Sequence, residues 1–298
     1  MPAKVLVSGS SGLIGAALVP ALQENGYAVT HLVRGVPFSQ NQVLWNPGEP
    51  IRPQLVSGFE AVVHLAGESI VGRWTETKKR RIRESRVVGT RHLAEALAKA
   101  ADRPRVLVSA SAIGYYGDRG EELLREERPS GSGFLPDVCL GWESASVPAA
   151  QAGIRTAQMR IGIVLSPNGG ALAKMLTPFR LGLGGIMGSG RQWWSWIALQ
   201  DVVGAILHVV KTNSLQGPVN AVAPNAVTNA EFTRTLGAVL SRPTIFPMPA
   251  FAARLALGQM AEELLLASQR VQPAKLLSSG YVFEQPDLRA ALQASLKK

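Results

Sequence analysis

Cysteine, aromatic side chains and long apolar runs are all scarce in this 298-residue sequence, in which aromatic residues make up 6 %. The single cysteine, Cys139, excludes an intramolecular disulfide and indicates a reducing compartment, so we expect a cytoplasmic protein. The four histidines are scattered without the spacing of metal ligands, and we expect no metal site. No uncharged apolar segment approaches the ~20 residues of a membrane-spanning helix, so we expect no membrane partner.

Acidic residues are also few, because 21 Asp and Glu stand against 31 Lys and Arg, for a formal charge of +10. The densest basic run covers residues 78–83 and continues to Arg86. It is either the solvated face of a helix or a surface that attracts a phosphorylated cofactor or substrate. Nucleic acid is a third hypothesis, but no aromatic side chains interleave with the basic ones. We therefore expect a small-molecule partner rather than nucleic acid.

A glycine-rich turn near the N-terminus follows a short apolar run and precedes an apolar helical pattern. Its glycines have the spacing Gly-x-x-Gly-x-x-Gly, and they stand where strand, turn and helix succeed one another, as a dinucleotide-binding fingerprint requires. Glycine lets the backbone approach a pyrophosphate, and the free N–H groups at the helix start face that anion. A turn without a ligand is the alternative. The residues predicted to bind the cofactor here are Gly9, Ser10, Ser11, Gly12, Leu13, Ile14 and Gly15.

No acidic residue occurs between Glu24 and Glu49. NAD-selective folds place an acidic side chain about 20 residues after the glycines, where it binds the ribose 2′-hydroxyl. Here Arg34 ends the second predicted strand, and its charge and bidentate geometry suit a 2′-phosphate. An ordinary surface arginine is the alternative. We predict NADP(H) rather than NAD as the cofactor.

Strand and helix patterns alternate along the first two thirds of the chain. Strands are predicted at residues 27–33, 61–67, 105–109, 155–165 and 218–223, with helices at 75–101 and 134–150 and from 196 onwards. A polar loop is expected at 118–133, and Thr228 with Glu231 has the spacing of a capping box. This alternation predicts an α/β fold with a Rossmann-type, doubly wound parallel sheet. We expect residues 1–167, with 196–225 returning, to form the NADP-binding domain, and 168–298 a smaller, mainly helical substrate-side region.

Motifs along nearly the whole chain resemble one family. They include the glycine turn, His64-Leu-Ala-Gly-Glu68, the segment from Glu84 to Thr90, Trp142-Glu143 and Arg160-x-Gly-x-Val164. The chain resembles the extended short-chain dehydrogenase/reductase superfamily, and within it the atypical, NAD-dependent epimerase/dehydratase-like "epimerase family" proteins that carry a C-terminal domain of unknown function.

The resemblance implies further cofactor contacts beyond the glycine turn. These are Arg34, Leu65, Ala66, Gly67, Glu68, Arg86, Ser109 and Val164, with Val164 toward the nicotinamide end. For Arg86 the alternative is a surface position on the basic helix. For Glu68 it is a cap on the helix that follows.

The usual catalytic pair of the superfamily, Tyr-x-x-x-Lys, is missing. Placing the helix by Glu143 puts Leu135 and Cys139 where the tyrosine and lysine should stand, and neither can replace its counterpart. Ser111 matches the accompanying Ser/Thr position. Tyr115, four residues later, is a candidate proton carrier, although a Tyr-Tyr-Gly turn often only packs. Cys139 is expected to be buried and inert.

The sequence therefore leaves two functions open. The first is an NADP(H)-binding oxidoreductase or epimerase-like enzyme that acts by hydride transfer on a small polar, nucleotide- or phosphate-bearing substrate. Its substrate wall would be the glycine loop at 184–190 with Arg180 and Arg191. The second is a non-catalytic NADP(H)-binding regulator or scaffold, for example one linked to cell division. A monomer or a homodimer is expected in either case.

Overall fold

A parallel sheet forms the centre of the protein, in a computed structural model that describes residues 2–296. Its strands are β1 (Lys4–Ser8), β2 (Ala28–Val33), β3 (Gln42–Leu44), β4 (Ala61–His64), β5 (Val106–Ala112), β7 (Arg155–Ile161) and β11 (Gly217–Ala221), in the order β11-β7-β5-β4-β1-β2-β3. Every neighbouring pair is parallel. The central strands are continuous apolar runs, which is typical of strands that are covered on both faces.

Short strands pair outside this sheet. They are β6 (Leu123–Leu124), β8 (Ile163–Leu165), β9 (Trp193–Trp194), β10 (Trp196–Ala198), β12 (Val227–Thr228) and β13 (Arg270–Val271), paired as β10-β8, β12-β9 and β13-β6.

The helices cover both faces of the central sheet and also form a separate layer in the C-terminal region. They are α1 (Leu13–Glu24), α2 (Glu76–Ala98), α3 (Phe134–Ser144), α4 (Val147–Gln151), α5 (Gly170–Arg180), α6 (Leu199–Lys211), α7 (Asn229–Leu240), α8 (Ala250–Leu257), α9 (Ala274–Ser278) and α10 (Leu288–Leu296). One 3-10 turn lies at Pro53–Val56, another at Ile113–Tyr116, and a π-helical turn lies at Ala261–Leu266. Within the described residues no helix is both long enough and apolar enough to cross a membrane.

Apolar cores hold the helices against the sheet and against one another. On one face of the sheet, Leu18 and Leu22 of α1 pack with Val202 and Ile206 of α6. On the other face, α2 and α4 pack against the sheet through side chains such as Leu97. A separate core joins α5, α7 and α10 around the fully buried Trp196 and Phe232. The predicted Rossmann-type parallel sheet and the mainly helical C-terminal region are thus confirmed.

Several predicted element boundaries were wrong. The strand expected at 155–165 divides at Gly162, because Gly162 N–H donates to Ala221 O while the next amide, Ile163 N–H, donates to Ser195 O. The chain thereby leaves the central sheet for β10. The helix expected at 134–150 divides into α3 and α4, and Pro148 lies in the first turn of α4.

Two other segments also differ from expectation. Residues 196–198 are strand rather than helix, and α6 begins at Leu199. The loop at 118–133 contains β6, whose partner β13 lies about 150 residues further along the chain, beyond the reach of a local pattern. The predicted N-cap is present, since Thr228 Oγ1 accepts a hydrogen bond from Glu231 N–H at 3.2 Å.

Candidate functional site

The glycine turn lies between the carboxyl ends of β1 and β4. Gly9 has a φ of +72°, and a Cβ atom there would stand 2.8 Å from the Ala66 amide nitrogen. A Cβ atom on Gly15 would overlap the Gly9 carbonyl oxygen. Both positions therefore require glycine, Gly9 for its left-handed backbone as well as the close approach. The turn presses against the segment 65–66, so two of the predicted contact segments are brought together.

The start of α1 leaves backbone donors unpaired. Gly12, the N-cap, donates to Gly9 O at 3.0 Å and accepts from Ala16 N–H at 2.9 Å. No side chain caps the helix and no acidic residue stands in its first turn. Within residues 2–296 the amides of Leu13, Ile14 and Gly15 have no recorded backbone or side-chain acceptor. Such a helix N-terminus is suited to an anion, and a side-chain cap would have occupied it.

Positive side chains gather around Glu68 beside this turn. Lys78 Nζ lies 2.8 Å from Glu68 Oε1. The hydrogen bond from Lys78 lowers the pKa of the Glu68 carboxyl, and the charges of Lys78, Arg81 and Arg34 lower it further. Arg34, exposed at the end of β2, therefore lies near cations from the N-terminal half of α2. One carboxylate does not neutralise three cations, so the cluster keeps an excess of positive charge.

Arg86 is not a surface residue. Its Nη1 donates to Glu68 O at 2.9 Å and to Ile82 O at 3.2 Å, and its guanidinium lies 5.0 Å from the Trp142 ring. A Cβ atom on Gly67 would lie 3.3 Å from the guanidinium carbon. The Arg86 side chain thus packs against Gly67 and Glu68, next to the segment that contacts the glycine turn.

Ser111, at the end of β5, belongs to a buried polar network. Its hydroxyl donates to Glu143 Oε1 at 2.7 Å, and Arg160 donates to both oxygens of Glu143 at 2.8 Å. Burial opposes the charge on Arg160, but the hydrogen bonds and charge of Glu143 outweigh it and raise the pKa of Arg160. Ser111 is 3 % exposed and Arg160 2 %. A bidentate arginine–carboxylate pair of this kind is geometrically rigid.

The two adjacent tyrosines differ in their surroundings. Tyr116 Oη donates to Asn220 Oδ1 at 2.7 Å and accepts from Arg160 Nη1 at 2.9 Å, and burial raises its pKa to about 12. Tyr115 is half-buried, and its ring lies 3.5 Å from the Arg160 guanidinium carbon. Among the described residues no side chain or carbonyl is recorded as a partner of Tyr115 Oη. Tyr115 is therefore the more exposed of the two tyrosines.

Leu135 and Cys139 stand on α3, and both are buried. Leu135 packs against Gly114, where a Cβ atom would lie 3.3 Å from its side chain. Burial, with a smaller effect of the Glu143 charge, raises the pKa of Cys139 to about 12. A thiol so protonated is neither a nucleophile nor a substitute for a positive lysine.

Alkylation tests the state of Cys139. We expect its rate with iodoacetamide to rise about tenfold per pH unit up to at least pH ~9.5, without the levelling that an ordinary thiol of pKa ~8.5 shows. The rate should be far below that of the denaturant-unfolded chain at each pH. Mass spectrometry of the intact protein measures both rates, and a plateau near pH 8 in the folded protein would contradict this account.

Two other predicted positions, Ser109 and Val164, have mixed surroundings, as does His64 of the family motif. Ser109 is 1 % exposed and its hydroxyl lies 3.3 Å from Ala110 O, so its side chain faces the interior. Val164 is half-buried on β8, and the loop after it contacts Leu13, since a Cβ on Gly170 would lie 3.3 Å from Leu13 Cδ2. His64 is fully buried against Ser8 Oγ at 2.6 Å, and burial lowers its pKa to about 4.

Sequence reasoning assigned no role to the residues that organise the network. Glu143, Arg160 and Asn220 stand in elements that are otherwise largely apolar, and a charged residue in such an element is a signal of a buried partner. Within residues 2–296, no group of three His, Cys, Asp or Glu side chains has an arrangement that could hold a metal.

An open parallel sheet with a glycine turn at the start of its first helix defines a Rossmann-type dinucleotide-binding protein. Family models match two parts of the chain, the NAD dependent epimerase/dehydratase family over residues 5–222 and a domain of unknown function, DUF1731, over residues 248–295. The chain belongs to the NAD dependent epimerase/dehydratase family. The predicted family resemblance is thus confirmed.

Individual relatives match over nearly the full length. An epimerase family protein of Mycobacterium bovis is 42 % identical over 293 residues, covering 97 % of this chain and 96 % of its own. The human epimerase family protein SDR39U1 is 37 % identical over 295 residues, covering 97 % of this chain and 98 % of its own. A crystal structure of human SDR39U1 with NADPH superposes with a TM-score of 0.90 and 35 % identity, covering 98 % of each chain. The NADPH of that relative agrees with the predicted nicotinamide cofactor.

Proposed function

We propose that this protein binds NADP(H) and catalyses hydride transfer as an oxidoreductase or epimerase-like enzyme without the usual Tyr-x-x-x-Lys pair. The observation that carries the proposal is the juxtaposition of unpaired amides at the start of α1 with the cations around Glu68. A dinucleotide with an extra phosphate needs two anion sites, one for its pyrophosphate and one for its 2′-phosphate. The NADPH found with human SDR39U1 supports this assignment.

The residues present fit such a cofactor. The amides of Leu13, Ile14 and Gly15 would hold the pyrophosphate, and Arg34 with Arg81 would hold the 2′-phosphate. Gly9 has no side chain and packs closely on the segment 65–66, so no side chain of Gly9 would stand between the turn and the cofactor. Val164 and Arg86 would flank the nicotinamide half. When bound, the nicotinamide would supply or accept the hydride.

We assign the proton-transfer role to Tyr115 and a positioning role to Ser111. Tyr115 is half-buried beside the end of β5, whereas Ser111 is 3 % exposed and already donates to Glu143. Ser111 and Glu143 hold the Arg160 guanidinium against the Tyr115 ring. A fixed cation at that place favours charge that develops on the phenol oxygen during proton transfer.

Turnover measurements test this assignment. A panel of carbonyl compounds and sugar nucleotides is screened for NADPH consumption or epimerisation. With a substrate found, Tyr115→Phe should lower kcat about 100-fold or more, because it removes the proton carrier. Ser111→Ala should lower kcat less, and Cys139→Ala should leave it unchanged. Equal kcat for Tyr115→Phe and the parent protein would contradict the role of Tyr115.

The second candidate function is a non-catalytic NADP(H)-binding regulator. It is favoured by the observation that Ser111, Glu143 and Arg160 already bond to one another. NADPH binding without turnover of any panel member would support this function. A binding partner whose affinity changes with the redox state of the cofactor would then identify it.

Replacement of Arg34 tests the phosphate assignment. Arg34→Ala should weaken NADPH binding about tenfold, because a hydrogen bond to a charged group contributes about 1.5 kcal/mol, and NADH binding should not change. Arg289, which is also exposed, provides the matched control. Isothermal titration of the parent protein, Arg34→Ala and Arg289→Ala with each nucleotide measures the six affinities. An equal loss for NADPH and NADH would show that Arg34 does not contact the 2′-phosphate.

A further inference from the structure

A broad apolar surface lies on the C-terminal region. It consists of residues 180–183 and 242–256, and we call it the C-terminal apolar face. Its large exposed side chains are Leu181, Leu183, Ile245, Phe246, Phe251 and Leu255. Phe251 is 70 % exposed and Leu255 78 %, and the spacing of four residues places both on the same side of α8. Contiguous exposed apolar patches mark interaction sites.

The two segments of the face are joined. Arg242 Nε donates to Arg180 O at 2.8 Å, and a Cβ on Gly182 would lie 3.7 Å from the Pro243 ring. Further along, Gly188 N–H and Met248 O form a hydrogen bond of 2.9 Å. The segment 242–248 then leads directly into α8. The two segments therefore lie side by side, and their exposed apolar side chains stand on the same part of the molecule.

The charges on this face that have no salt-bridge partner among the described residues are positive. No Asp or Glu occurs between Glu143 and Asp201, or between Glu231 and Glu262. The face itself carries Arg180, Arg242 and Arg254, all exposed. Arg254 pairs with Glu262 at 2.6 Å, which leaves Arg180 and Arg242 without a recorded acidic partner among the described residues.

We propose that the C-terminal apolar face docks on the surface of an anionic lipid bilayer. Exposed aromatic and leucine side chains beside arginines are the composition of elements that lie in a membrane interface, with the apolar groups in the headgroup region and the cations on the anionic lipid. A second copy of the same face would bring like charges together, which disfavours self-association. The expectation of no membrane partner rested on the lack of a spanning segment, and surface docking needs none.

Vesicle co-sedimentation tests the proposal with the full-length protein. Vesicles are of phosphatidylcholine alone or with about a third phosphatidylserine, which supplies the negative surface. We expect binding to the anionic vesicles, weaker binding at high salt, and little binding to phosphatidylcholine alone. Replacing Phe251 and Leu255 by serine should weaken binding about tenfold or more, since each apolar side chain loses its burial. Arg180→Ala with Arg242→Ala should also weaken it, by about fivefold per arginine.

Matched controls separate this face from other surfaces. Val282 and Phe38 are also exposed apolar residues, at 83 % and 89 %, and their replacement by serine should leave binding unchanged. Arg80→Ala with Arg83→Ala tests the basic run on α2.

The proposal is overturned if no anionic vesicle binds, or if the α2 variant abolishes binding while the Phe251/Leu255 variant retains it. A dimer in light scattering that the Phe251/Leu255 variant dissociates would also overturn it, because a second copy would then cover the face. NADPH affinity should be equal in the parent protein and the Phe251/Leu255 variant, which keeps this result separate from that of the proposed function.

Discussion

Arg160→Ala is expected to destabilise the protein by about 3–5 kcal/mol, because it leaves the carboxylate of Glu143 buried without its partner. The pair lies at the centre of the candidate site, at 2.8 Å, and Arg160 also donates to Tyr116 and Glu126 O. Its removal therefore breaks hydrogen bonds from three elements of the fold at once. Urea unfolding followed by circular dichroism measures the change in the free energy of unfolding.

The matched controls for Arg160 are a surface arginine and a double variant. Arg289→Ala, at an exposed position of α10, should change the free energy of unfolding by less than about 0.5 kcal/mol. Arg160→Met with Glu143→Leu removes both charges and should be less destabilising than Arg160→Ala alone, because no uncompensated charge remains. A loss of unfolding free energy below about 1 kcal/mol for Arg160→Ala would show that the Arg160–Glu143 pair does not stabilise the fold.

Gly15→Ala is expected to abolish measurable NADPH binding and to destabilise the fold. Its Cβ would overlap the Gly9 carbonyl oxygen, so either α1 or the turn must move. A displacement of the turn misplaces the amides that we assign to the pyrophosphate, and a loss of about 100-fold or more in affinity follows from losing several charge-assisted hydrogen bonds. Titration calorimetry and thermal unfolding measure the two effects.

Gly48 is the matched control for Gly15. A Cβ at Gly48 would lie 3.6 Å from Asn46 Oδ1, an ordinary contact, and its φ is not left-handed. Gly48→Ala should therefore preserve both NADPH binding and stability. If Gly15→Ala bound NADPH as tightly as Gly48→Ala does, the glycine turn would be an architectural feature without a ligand.

Local patterns predicted the parts of the molecule in which neighbouring residues decide the structure. The strand–turn–helix unit around Gly9 and the helix after Thr75 are encoded by short-range spacing, and α2 indeed begins after Thr75 as its N-cap. Local patterns did not predict the division of the strand at Gly162. The switch of the chain from one strand partner to another there depends on Ala221 and Ser195, which lie far away in sequence.

The residues that we propose for the cofactor were named from the sequence, and the network of the substrate half was not. Glycine spacing and the missing acidic residue after the second strand are local features that direct contact with a dinucleotide would explain. Ser111, Glu143 and Arg160 come instead from β5, α3 and β7, and only the sheet order brings them together. Arg34 and the cations of α2 lie around the same carboxylate, that of Glu68. Only the tertiary fold brings them there, since more than 40 residues separate Arg34 from these cations in sequence.

The most direct test of the account is a calorimetric titration of the full-length protein with NADPH and, in parallel, with NADH. The account predicts one NADPH site per chain, with NADH bound at least about tenfold more weakly because it lacks the phosphate that the cations near Glu68 would hold. Equal affinity for the two nucleotides would contradict the proposed 2′-phosphate site. Binding of neither would contradict the central claim that the glycine turn holds a dinucleotide.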